Sequence, residues 1–70
     1  MEPKFKIGTK FIRRNRKRKD IETIVDILTT SNNAGEVVKI NYVTCHNFLG
    51  QVVFNYEVLE STISRAEFIK

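Results

Sequence analysis

Ser31-Asn32-Asn33-Ala34-Gly35-Glu36-Val37-Val38-Lys39-Ile40-Asn41-Tyr42-Val43-Thr44-Cys45 is the stretch that decides the fold. Asn tolerates the left-handed backbone region and Gly favours it, so Ser31 to Gly35 reads as a hairpin loop. The strand that follows, about Glu36 to Cys45, alternates. Val38, Ile40 and Tyr42 fall on one face, and Val37, Lys39 and Asn41 on the other.

The same period extends outward in both directions. Before the loop, Asp20 to Thr30 places Ile21, Thr23, Val25 and Ile27 on one face. Glu22 and Asp26 lie on the other, interrupted by Ile24 and Leu28. Its β-branched content favours a strand. Ile21, Ile24, Val25 and Leu28 also fit a 3.6 period, so a helix over Asp20–Leu28 stays open. After the loop, His46 to Gly50 forms a turn. Gln51 to Val58 then reads as a fourth strand that buries Val52, Phe54 and Tyr56 and exposes Gln51, Asn55 and Glu57. A first strand is expected over Ile7–Arg14, with Phe11 inward and a bend at Gly8. The tail Ser61–Ile69 is expected to add a short strand, or one helical turn and then a strand, anchored by Phe68 and Ile69.

These elements define an all-β domain of 70 residues. The expected architecture is a small antiparallel barrel, or a strongly bent sheet, of four to five strands, with at most one short helical turn near the C-terminus. A chain this short buries only ~60% of the surface its unfolded form exposes, so its core is small. The lone cysteine, Cys45, allows no internal disulfide. Together with His46 it falls short of the four ligands of a structural zinc site. No apolar run has signal-peptide or membrane-span length, the longest being two or three residues such as Val52-Val53-Phe54. The expectation is a cytoplasmic protein without membrane contact, metal or cofactor.

Charge is distributed unevenly. Residues 1–19 hold nine Lys/Arg against one Glu, a net +8. Residues 20–70 hold three against seven acidic residues, a net −4. Six cations crowd one segment: Arg13, Arg14, Arg16, Lys17, Arg18 and Lys19. Such density is repulsive in a folded protein and useful against a polyanion, because Lys and Arg pair with phosphates and release counterions. These six and Lys10 are the candidate nucleic-acid-binding residues, with Lys4 and Lys6 close by in sequence. Phe5 or Tyr42 would add a stacking face if exposed, although both fit the core better.

Two further readings of this segment stand beside nucleic acid. It suits contact with an acidic protein, and it suits a solvated tip that balances an acidic remainder. Asp20, Glu22, Asp26, Glu57, Glu60 and Glu67 are expected to give the domain a negative side. Catalysis is not expected. Cys45 and His46 point to opposite faces of a strand, and no third residue orients the histidine.

The opening Phe5-Lys6-Ile7-Gly8-Thr9-Lys10-Phe11-Ile12, and Thr23-Ile24-Val25-Asp26-Ile27 after it, resemble strands of Src-homology-type small barrels, including the KOW and Tudor-like groups. Short bacteriophage and prophage proteins share this look. The resemblance implies a barrel that binds through its loops and one strand face, and it carries no catalytic residues. Within it, a small phage-encoded inhibitor or adaptor of a host protein is the alternative to nucleic-acid binding.

Overall fold

The computed structural model describes residues 2–14, 17 and 19–69. Five strands and one short helix follow in the order β1 (Lys10–Ile12), β2 (Ile21–Ser31), β3 (Val37–Phe48), β4 (Gln51–Leu59), α1 (Glu60–Ser64) and β5 (Glu67–Phe68). All pairings are antiparallel, and the spatial order is β4-β3-β2-β1-β5. The sheet stays open between β4 and β5, so the bent sheet holds and the closed barrel does not. Within Asp20–Leu28 the chain is strand from Ile21 onward, which settles the helical alternative. Among the described residues no helix is long and apolar enough to cross a membrane.

The β2–β3 hairpin is the spine. Twelve residues of β3 at ~3.4 Å each span about 40 Å, close to the 44 Å long axis of the molecule. Its loop forms as the sequence predicts. The Asn32 side-chain oxygen accepts from the Ala34 and Glu36 amides at 2.9 and 3.0 Å, and Gly35 takes φ 80°.

One face of the sheet carries the core: Phe11, Ile24, Ile40, Tyr42 and Val58, covered by Ile63 of α1, Ala66 and the half-buried Phe5. Phe11 points inward as expected, and Ile40 and Tyr42 share the core face, but Val38 does not: it is 51% exposed, and Val37 packs against the core instead. In β2 the core face is the one that carries Glu22. Ile24 and Glu22 face the core, while Ile21 and Val25 are exposed. A β-bulge at Val25 explains the rest: Ile24 pairs with Thr44, but Asp26 already pairs with Val43. The extra residue shifts the parity, so Ile27 packs against the core three positions after Ile24. A second irregularity lies in β3, where Thr30 pairs with Lys39 and Ser31 with Val37, so Val38 is the extra residue. A third lies in β4. Thr44 pairs with Asn55 and Tyr42 with Val58, two steps on one strand against three on the other. Glu57 absorbs the extra residue in the left-handed region at φ 58°.

The first strand is shorter than expected. Gly8 turns the chain at φ 97° and donates to the Ile24 carbonyl at 2.7 Å, which leaves Ile7 outside the ladder. The tail takes the helix-then-strand form with other anchors. One helical turn brings Ile63 and Ala66 to the same side, where both are buried. Phe68 and Ile69 remain partly exposed, although Phe68 stacks on Phe5 at 5.4 Å. Tyr42 fastens this end. Its hydroxyl donates to the Glu60 carboxylate at 2.7 Å and accepts from the Phe5 amide at 3.4 Å.

Two outcomes follow from these details. The β3–β4 hairpin closes through Leu49 and Gly50, both at positive φ, the two-residue turn that favours Asn-Gly. Leu49 is 83% exposed and loses no packing on replacement. Leu49→Asn should therefore stabilise the protein by about 0.5–1 kcal/mol in urea unfolding; a loss of stability would show that the leucine is held there by contacts. The second outcome concerns acid. The Tyr42 hydroxyl holds the Glu60 carboxyl below its usual 4.5, and burial followed by Glu60 pushes the Tyr42 phenol above 10. A depressed carboxyl stabilises above its unfolded value, and that gain is lost as pH falls through the folded one. A raised phenol stabilises below about 10 and loses its contribution as pH rises further. The stability gap between wild type and Glu60→Gln should be level near neutrality and narrow below about pH 4.5. A gap that does not change on acidification would dismiss the pair.

Candidate nucleic-acid interface

The seven candidate cations do not behave alike. Arg13 follows β1 directly and folds back on the sheet. Its Nε lies 2.7 Å from Glu22 Oε2, and its Nη2 donates to Glu22 Oε1 at 3.0 Å. Its side chain is 18% exposed and that of Glu22 is 2%. Glu22 Oε1 also accepts from the Thr44 hydroxyl at 2.9 Å and from the Asn55 amide at 3.3 Å. Asn55 Nδ2 reaches His46 Nδ1 as well, at 3.1 Å. Arg13 is thus committed to a buried polar network that spans β2, β3 and β4. Glu22 does not add to the expected negative side of the domain, because it is inside.

Lys19 donates to the Arg14 carbonyl at 3.3 Å and draws the two ends of the basic segment together. Arg14, Lys17 and Lys19 are all exposed. Arg16 and Arg18 lie outside the described residues. Lys10 is exposed on β1, where its Nζ donates to the Thr23 hydroxyl at 3.3 Å.

The position of Lys10 reveals a surface that periodicity misassigned. Phe11 points to the core, so Lys10 points to the opposite, outer face. Lys10 pairs with Thr23, Thr23 with Cys45 and Cys45 with Phe54, which makes one row across that face. Strands are ~4.8 Å apart, so the row runs about 14 Å from the lysine to the phenylalanine. Phe54 is 50% exposed and Tyr56, two residues on, is 69% exposed. Their rings stand side by side, 6.5 Å apart and tilted by 33°. Val52 is exposed on the same face.

The expected burial of Val52, Phe54 and Tyr56 is therefore reversed. Asn55 turns inward to reach Glu22 and Thr44, and a strand's neighbours of an inward residue must point outward. Phe5 and Tyr42, the aromatics considered for stacking, belong to the core. An open depression of about 450 Å³ lies beside the β4 bulge, with Arg13, Asn55, Tyr56, Glu57 and Thr62 in its lining. Cys45 is a free thiol, and the described residues contain no group of three or more metal-ligating side chains. No local signal in the sequence marks the inverted strand, because a polar residue between two aromatics reads as the outward one.

The division of labour among the cations is testable by unfolding. Arg13→Ala leaves a carboxylate inside the protein without its charge partner and should cost about 3 kcal/mol, while Lys17→Ala should change stability by less than about 0.5 kcal/mol. Equal effects in urea melts would remove Arg13 from its structural role.

No family model, no curated protein and no solved structure matches this chain, so its function is argued from its own side chains and their geometry.

Proposed function

We propose that this domain is a non-catalytic module that binds single-stranded nucleic acid in the cytoplasm. The observation that carries the reading is the exposed Phe54–Tyr56 pair on the sheet face that also presents Lys10. Proteins that hold single strands combine aromatic side chains, on which bases stack, with cations that track the phosphates. Phe54 and Tyr56 supply the first. Lys10, Arg14, Arg16, Lys17, Arg18 and Lys19 supply the second, with Arg13 as the structural root of the segment. Stacking accepts any base, and a duplex hides its bases, so single strands are preferred over duplex without strong sequence dependence.

A second reading, binding to another protein, is favoured by the apolar side chains left uncovered on the same face. The two readings separate on salt. Affinity of wild type for a generic single strand should fall steeply with salt. Replacing Arg16, Lys17 and Arg18 with Gln should reduce the slope of log affinity against log salt by about 2, from ~0.7 per lost phosphate contact. Tyr56→Ala should instead weaken binding by about 1–3 kcal/mol with the slope unchanged. Absence of binding to any single strand at low salt would end the nucleic-acid reading in favour of a protein partner.

A further inference from the structure

β4 is a nine-residue strand at one edge of the sheet, and among the described residues nothing pairs with its outer side. The opposite edge, β5, has two residues and one is Glu67, so it offers little to pair with. Proteins blunt long edges with lysine, proline, inward charge or bulges. From Gln51 to Tyr56, β4 carries none of these. Its one irregularity, the bulge at Glu57, comes only after that stretch.

We propose that two copies of this chain pair antiparallel through their β4 edges, with the two-fold axis at Phe54. The occupant is a second copy because the strand is complementary to itself. Antiparallel pairing sets residues opposite one another when they lie on the same face. With the axis at Phe54, Val52 meets Tyr56 of the second copy, Phe54 meets Phe54, and Val53 meets Asn55. Aromatic–aromatic and aromatic–β-branched pairs are among the cross-strand contacts that stabilise sheets. No charged side chain lies between Gln51 and Tyr56, so self-pairing brings no like charges together there despite the net +4. The contact is isologous and closes on itself, giving one ten-stranded sheet instead of a fibre.

The area sets its strength. A fully exposed aromatic side chain presents about 200 Å², so Phe54 and Tyr56 at 50% and 69% exposure offer about 250 Å² per chain. That falls short of the ~800 Å² per partner of a standard interface and places the dimer in the weak, concentration-dependent class. Two Phe54–Tyr56 pairs would then form one continuous row on the outer face. This last consequence rests on the nucleic-acid reading; the dimer itself does not.

Sedimentation equilibrium of the protein alone is the test, because its outcome is independent of nucleic acid. The average mass should rise from one chain toward two between about 10 and 500 µM, the range of a weak complex. Phe54→Lys sets two lysines opposite each other and should raise the dissociation constant at least about tenfold. Its fold is checked by dichroism at low concentration. In a Cys45→Ser background, Phe54→Cys should give an intermolecular disulfide under mild oxidation, and Gln51→Cys, which lies opposite Glu57 of the second copy, should give far less. A single-chain mass throughout the range, or equal crosslinking by both cysteine variants, would overturn the proposal.

Discussion

Glu22 sets the terms for the rest of the molecule. A carboxylate at 2% exposure is tolerated only if its charge is met and its lone pairs are filled. The chain meets this demand from three separate places: Arg13 beyond β1, Thr44 in β3 and Asn55 in β4. These contacts tie four consecutive segments together at a single side chain. They also act as a register lock. A one-residue slip of β4 would withdraw Asn55 from Glu22 and drive Phe54 into its place, exchanging every side chain between the two faces.

The network divides the interior into an apolar part and a polar part. Phe11, Ile24, Tyr42, Val58 and Ile63 fill the first beneath α1. Glu22, Thr44, Asn55 and His46 fill the second toward the β3–β4 turn. In a chain this small, apolar side chains are displaced from the second region and must go outside. The uncovered Val52, Phe54 and Tyr56 are the direct result of a polar cluster on the opposite side of the same strand.

The all-β class, the loop at Ser31–Gly35 to within a residue, the Gly8 bend and the extents of β2 and β4 were legible in the sequence, because each depends on neighbours along the chain. Facing direction was less so. Period two assigns faces only while the ladder is unbroken, and the bulges at Val25, Val38 and Glu57 each reset it. None of these positions carries the glycine or proline that would mark a break. The inversion of β4 depends on Asn55 meeting Glu22, thirty-three residues away, a coincidence that no local pattern encodes. The basic segment was visible as charge density, but its inner differentiation was not. Arg13 and Arg14 are adjacent and of one type, yet one is bound inside the protein and the other faces water, because only Arg13 stands at the foot of the strand beside Glu22.

The length of the β2–β3 hairpin has a mechanical side. Past Thr29 and Ile40 no side chain of the hairpin is fully buried, although Val37 is half-buried against the core. Backbone hydrogen bonds, the Asn32 loop and the packing of Val37 against the core hold this portion together. Fraying from the tip meets Val37 first, the half-buried contact with the core, and Ile40 next, the first fully buried residue. Val37 and Ile40 together therefore clamp this arm of the hairpin to the body, which leaves Ser31 to Glu36 outside the clamp.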